Sequence, residues 1–306
     1  MNSSAHQPPQ IARANGIDIC YEIFGDADAE PMLLIMGLGA QMILWDDEFC
    51  RELAGRGFRV IRFDNRDVGH STRIVWGQSP RLWLAIARAV LGLPVRSPYL
   101  LGDMADDALG LLDALQVERA HVVGVSLGGM IAQSLAARHP QRLLSLTSIM
   151  SASGNWRVCC GKPAALRQLL SRPAQPDDPV SQVEHLLQVF SVIGSPGFPS
   201  DPGELRRQLE RGVRRAHYPA GQYQQLLAII AAGDRRRELA RIHAPTLVIH
   251  GADDPLLPLA AGRDTAKHIP GARLQVIKGM GHDLPPGVQA LLLAAIIGHC
   301  RAAERA

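Results

Sequence analysis

His121-Val122-Val123-Gly124-Val125-Ser126-Leu127-Gly128-Gly129-Met130 is the stretch that decides how this chain is read. Its first half is apolar and β-branched. Its second half opens a run, Leu127 to Arg138, with apolar residues spaced near 3.6. A strand therefore runs straight into a helix across Ser126. Gly124 to Gly128 spells G-x-S-x-G, which chance alone places in roughly one chain in ten of this length, so the context carries the weight. A sharp strand-to-helix turn strains its central residue and points that side chain out of the sheet. Ser126 then stands at the C-terminal edge of the sheet, where open α/β folds bind ligands. The helix N-terminus beneath it favours developing negative charge. The alternative reading is a glycine-rich junction with a capping serine.

Outward from Ser126, short β-rich runs alternate with helical patterns. Ile17 to Phe24 alternates and reads as an early antiparallel strand. Met32 to Met36, Arg59 to Asp64, Leu143 to Met150, Thr246 to His250 and Arg273 to Ile277 read as further strands. Several are apolar on both faces, as covered parallel strands are. Trp45 to Ala54, Met104 to Leu115 and Leu259 to His268 carry helical spacing. His139-Pro140 and Ile269-Pro270-Gly271 close two of the helices. Such alternation implies a doubly wound α/β sheet. It stops between about Ser151 and Arg241. Ala164 to Ser171, Val180 to Val192, Glu204 to His217 and Gln222 to Ala232 are helical there, and no convincing strand appears. The expected organisation is a core of residues 1–150 and 242–306, with 151–241 inserted between two strands as a helical cap.

A serine hydroxyl needs a base to take its proton. In this type of fold the acid and the histidine follow the serine in that order. The strand Thr246 to His250 ends in Gly251-Ala252-Asp253-Asp254-Pro255, and the next ends in Gly279-Met280-Gly281-His282-Asp283. Both loops fall on the sheet edge that carries Ser126. His282 is the candidate base, its flanking glycines suiting an irregular exposed loop. Asp254 is favoured as the acid over its neighbour Asp253. An acyl-transfer site also needs donors for an oxyanion. The N–H of Leu127 follows the serine, and the loop Met36-Gly37-Leu38-Gly39 offers the N–H of Leu38. An ordinary glycine-rich turn is the alternative there.

Composition narrows the classes. A net charge of +3 is too small to suggest a nucleic-acid partner. With 47% hydrophobic and 20% charged residues the chain is not of the disordered type. The polar start, Met1 to Gln10, lacks the pattern of a signal peptide. The most nearly continuous apolar run is Leu82 to Leu93, short of a membrane span and broken by Arg88. Cys20, Cys50, Cys159, Cys160 and Cys300 are odd in number and irregular in spacing, which suits free thiols in a reducing cytoplasm. No metal-ligand spacing occurs.

Met36 to Gly39, Asp64 to Ser71, Gly124 to Gly129, Gly251 to Pro258 and Gly279 to His282 together resemble the loops of the α/β-hydrolase superfamily, in the same order and over nearly the whole chain. The resemblance is strongest to a branch of small serine esterases that includes aclacinomycin methylesterase, where Met-Gly often stands in place of His-Gly. It implies an α/β-hydrolase fold with a mostly parallel eight-stranded sheet, helices on both faces and a helical cap. It also implies carboxylic ester hydrolysis without a cofactor or metal, on a small-molecule ester with a hydrophobic portion. In the family pattern the acid is the third residue after the strand-end glycine, which matches Asp254 after Gly251. The chain departs from dehalogenases and epoxide hydrolases, whose nucleophile is Asp. It also departs at Asp67, where the family usually carries Gly. Lactone or C–C bond hydrolysis, acyl transfer and perhydrolysis use the same triad. A non-catalytic small-molecule receptor is the alternative from another class.

Two other features draw notice. Arg206, Arg207, Arg211, Arg214 and Arg215 crowd one helical segment opposite the apolar stripe Leu205, Leu209, Val213 and Ala216, and are expected to form a solvated face. Leu82, Trp83, Ile86, Val90 and Leu91 form an apolar stripe expected to pack on the inserted helices, with no membrane contact; lining the pocket or touching a membrane surface are the alternatives.

Overall fold

The computed structural model describes residues 6–78 and 80–305. Eight strands form one sheet: β1 His6–Ala14, β2 Ile17–Phe24, β3 Glu30–Ile35, β4 Phe58–Phe63, β5 Ala120–Val125, β6 Leu143–Ile149, β7 Thr246–Gly251 and β8 Arg273–Ile277. Their spatial order is β1-β2-β4-β3-β5-β6-β7-β8. β2 runs antiparallel to β1 and β4, and the pairs from β4 to β8 are parallel. The strand β1 is absent from the sequence reading. Pro8 and Pro9 argue against a strand, yet they fall on the sheet edge and at a shift of register between Gln7 and Gln10, where prolines are tolerated.

The central strands are buried along their length because helices cover both faces. Alternate residues feed two cores. Leu33 and Ile35 of β3 join the face covered by α3 Leu101–Ala114, α4 Leu127–Arg138 and α11 Leu259–His268. Met32 and Leu34 join the other, under α1 Asp47–Gly55 and α12 Pro286–Ala303. The helix α12 has 18 residues and by length and apolarity alone could cross a membrane, which the sequence reading passed over. Its stripe of Val288, Leu292, Ile296 and Cys300 is sealed against the sheet, while its other side is largely accessible.

Between β6 and β7 lie six helices, α5 Trp156–Cys159, α6 Pro163–Leu169, α7 Pro179–Ile193, α8 Pro202–Arg215, α9 Pro219–Ala232 and α10 Arg236–Leu239, with no strand among them. Each of the four long ones begins at a proline. The missing N–H costs nothing at a first helical position and the fixed φ suits it. Asp178 and Asp201 cap two of them through their side chains. The remaining helix, α2 Leu82–Val90, lies between β4 and α3. All five cysteines are free thiols.

Candidate active site

The turn between β5 and α4 is as tight as its glycines suggest. Ser126 has φ 54° and ψ −117°, a strained backbone for an L-residue. A Cβ on Gly124 would lie 2.2 Å from the Gly128 carbonyl oxygen, and one on Gly128 would lie 2.1 Å from that of Ile35. Only hydrogen fits at either place. The strand end is anchored by the Ser126 N–H donating to the Ile149 oxygen at 2.9 Å, and the Ser151 hydroxyl donates to the Ser126 oxygen at 2.8 Å.

Three side chains meet at this edge. His282 Nε2 is 3.0 Å from Ser126 Oγ, and His282 Nδ1 is 2.7 Å from Asp254 Oδ2. A carboxylate can only accept, so Nδ1 carries the proton and Nε2 is left to accept from the serine hydroxyl. The other Asp254 oxygen accepts from the N–H groups of Leu256 and Leu257 at 2.9 and 2.8 Å. Burial would raise the Asp254 carboxyl, but His282 opposite it and these hydrogen bonds hold it below the usual carboxylate range. His250 Nε2 lies 3.6 Å from Asp254 Oδ2 and bonds the Leu257 oxygen at 2.7 Å, which braces the same loop. Asp253 points elsewhere: its carboxylate accepts from the Gly279 N–H at 2.8 Å and so supports the histidine loop from outside.

The loop after β3 passes directly against the serine. A Cβ on Gly37 would stand 3.3 Å from that of Ser126. In this loop the Gly39 N–H is taken by Gln225 Oε1 at 2.8 Å and the Ala40 N–H by the Gly37 oxygen at 3.2 Å. Among the described residues, the N–H groups of Leu38 and Leu127 have no protein acceptor.

Sequence reading missed the residues that hold these loops. Gln225 of α9 is fully buried, and its amide nitrogen donates to the Arg66 oxygen at 2.8 Å while its oxygen takes the Gly39 N–H. The end of α7 clasps the histidine loop. The Ile193 oxygen accepts from the His282 N–H at 2.7 Å, and Ser195 Oγ accepts from the Gly281 N–H at 2.9 Å while donating to Asp283. A Cβ on Gly281 would lie 2.3 Å from the Gly194 oxygen. The glycines beside His282 therefore serve close packing in a buried loop, in contrast to the exposed loop expected from sequence. Arg215 is the second correction. It ends α8 facing the fully buried Asp64 at 2.7 Å and donates to Gln41 at 2.7 Å, while Arg207, Arg211 and Arg214 remain exposed.

Asp67 explains its departure from glycine. Its φ is 68°, in the left-handed region that favours glycine. The carboxylate accepts from the Ile74 N–H and the Tyr99 hydroxyl, both at 2.6 Å, and these bonds offset the strain.

A cleft of about 3070 Å³ opens over Ser126 and His282. The space continues from Ser126 into surface grooves that reach Glu52 and Arg56 beside α1 and Gly298 of α12. Leu186, Val189, Phe190, Leu226 and Ile230 of the inserted helices give it apolar walls.

The fold and this edge define the class: the chain belongs to the α/β-hydrolase family, whose model, described as the alpha/beta hydrolase fold, matches residues 30–285. Among curated proteins it is similar to rhodomycin D methylesterase DauP of Streptomyces sp. (strain C5), 34% identical over 97% of this chain and 99% of that one. The DnrP protein of the same description from Streptomyces peucetius is 32% identical over the same shares. Among solved structures, the enol-lactonase of Burkholderia xenovorans LB400 superposes with a TM-score of 0.70 at 24% identity, over 95% of this chain and all of that one.

Proposed function

We propose that this protein is a serine hydrolase that cleaves small-molecule carboxylic esters through an acyl-enzyme on Ser126. The observation that carries the reading is the hydrogen-bonded run Asp254–His282–Ser126, at 2.7 and 3.0 Å. His282 Nε2 takes the hydroxyl proton as Ser126 Oγ attacks the ester carbonyl. The Leu38 and Leu127 N–H groups receive the oxyanion; a single such donor is typically worth about a hundred- to a thousandfold in rate. Asp254 keeps the imidazole in the right tautomer and stabilises the imidazolium without taking the proton. His282 then protonates the leaving alcohol. Water, deprotonated by the same nitrogen, releases the acid and restores the serine.

Residues 151–241 act as the cap that shapes the substrate side of the cleft. Its apolar walls, together with the likeness to two methylesterases, favour a methyl ester of a bulky, largely apolar acid. The test is burst kinetics with p-nitrophenyl esters of graded acyl length. Methanol release is followed in parallel from methyl esters of small and of polycyclic acids. A stoichiometric burst before turnover, with the polycyclic methyl ester preferred, is expected. Absence of turnover on every ester by the folded protein contradicts the reading and favours a receptor.

A further inference from the structure

The segment between β4 and α3 has a composition unlike the rest of the surface. Between Asp67 and Asp103 there is no acidic residue, while Arg73, Arg81, Arg88 and Arg96 are all basic. Among the described residues none of these four arginines forms an ion pair. The same segment holds eight of the fifteen large apolar side chains that stand exposed among the described residues. Trp83 is 63% exposed and Leu91 72%, values far beyond what packing on a neighbour would leave. The expected packing of α2 on the inserted helices is thus only partial. Ala85 is its one buried residue, and the Tyr223 hydroxyl of α9 bonds the Pro80 oxygen just before it.

The helix has two apolar sides with different surroundings. Leu82, Ile86 and Val90 line the mouth of the cleft above Ser126. Trp83, Leu84 and Leu91 do not line it and face outward. A water-soluble surface seldom leaves tryptophan and leucine together in the open. An apolar helix with exposed Trp and Leu, arginines on and beside it and no carboxylate suits the interface of an anionic bilayer. The rings and aliphatic chains enter the headgroup boundary there and the guanidiniums meet phosphates.

We propose that residues 73–78 and 80–100 form a docking surface for an anionic lipid bilayer and bring the mouth of the cleft to the membrane plane. The charge decides the occupant: four arginines without an ion pair, Arg73 lying over the Tyr218 ring and Arg88 donating to the Pro94 oxygen, complement an anionic surface and would repel an identical copy of themselves. An apolar ester dissolved in the bilayer then reaches Ser126 along Leu82, Ile86 and Val90 without crossing bulk water. The surface stands or falls apart from the ester reading, because its test measures binding.

The full-length protein is sedimented with phosphatidylglycerol-rich vesicles and with phosphatidylcholine vesicles, at low and high salt. Binding to the anionic vesicles is expected, weakened by salt and accompanied by a blue shift of Trp83 emission. The Trp83→Glu/Leu91→Glu variant should bind about tenfold or more weakly. Arg88→Gln/Arg96→Gln should also lose on the order of tenfold, and only on anionic vesicles. Both variants should keep wild-type turnover of p-nitrophenyl acetate in solution, which shows that they are folded. No binding to the anionic vesicles at low salt overturns the proposal. So does binding that the folded variants leave unchanged. A wild-type dimer in solution that Trp83→Glu/Leu91→Glu converts to a monomer also overturns it, because the face would then belong to a second copy.

Discussion

Around Ser126 the sheet edge is held by shape, whereas the helices between β6 and β7 reach the same edge through a few polar anchors. Gly124 and Gly128 face carbonyl oxygens that one methyl group would strike, at 2.2 and 2.1 Å. Nothing there can adjust. The inserted helices hold on differently. Gln225 grips the loop of Leu38, Ser195 and Ile193 grip the loop of His282, and Arg215 reaches the buried Asp64. Arg235 is a further anchor, donating to the Ala152 and Met130 oxygens and to Gln133, with its guanidinium pushed down to about 10 by burial. The difference teaches that Ser126 is preorganised by packing, while the loops of Leu38 and His282 are positioned from across the cleft. Substitutions in the anchors should therefore disturb rate and pH response in ways that are separable from the stability of the sheet.

The largest effect is expected at Arg215. Asp64 is wholly buried and also accepts from the N–H groups of Met42 and His70, at 2.8 and 3.0 Å. Arg215→Met strands that carboxylate and should cost about 3–5 kcal/mol in denaturant unfolding. Asp64→Asn in the same chain should restore part of the loss. A double variant whose loss is the sum of the two single losses would show that the pair is not coupled.

Gln225 should show a smaller effect, and mainly in rate. Gln225→Leu leaves the buried Arg66 oxygen without its donor, removes the acceptor of the Gly39 N–H and loosens the loop that presents the Leu38 N–H. Acylation should slow by about tenfold or more, with KM little changed. Gln225→Glu keeps an acceptor for Gly39 and should recover part of kcat. A rise in KM alone would assign Gln225 to substrate binding.

The smallest effect is a pH slope at Asp283. Burial pushes its carboxyl above the usual range, against hydrogen bonds from Ser195 that lower it. The folded state then holds a proton that the unfolded chain has released. Stability from this group is lost as pH rises from the ordinary carboxylate value through the raised one. Asp283→Asn removes that slope, so the Tm of the wild type relative to the variant should fall as pH rises above the ordinary carboxylate value of about 4. A constant difference across that window would mean that Asp283 titrates normally.

The convergence of Ser126, His282 and Asp254 was legible in the sequence, and what was missed follows a rule. Ser126 and the loop of Leu38 sit just beyond strongly apolar strands, where local pattern suffices, and His282 follows the more polar β8, where chain order places it. The choice of Asp254 over Asp253 required the family spacing. In the structure Asp254 meets His282, while Asp253 meets the Gly279 N–H. Gln225, Ser195 and Arg215 could not be read because their partners lie far away in the chain. A glutamine within a helical pattern or an arginine at the end of an arginine-rich helix looks like a surface residue until the partner is seen. The edge strand β1 was hidden by its prolines. The exposed side of α2 was hidden by its own regularity, since an apolar stripe at helical spacing ordinarily means burial.

The most direct test is acid quenching of the protein during turnover of a slow p-nitrophenyl ester, followed by digestion and mass spectrometry. The account predicts one acyl group per chain, carried on Ser126 and absent from Ser126→Ala, with turnover in that variant reduced by about 10⁴-fold or more. An acyl group on any other residue, or undiminished turnover by Ser126→Ala, would contradict it.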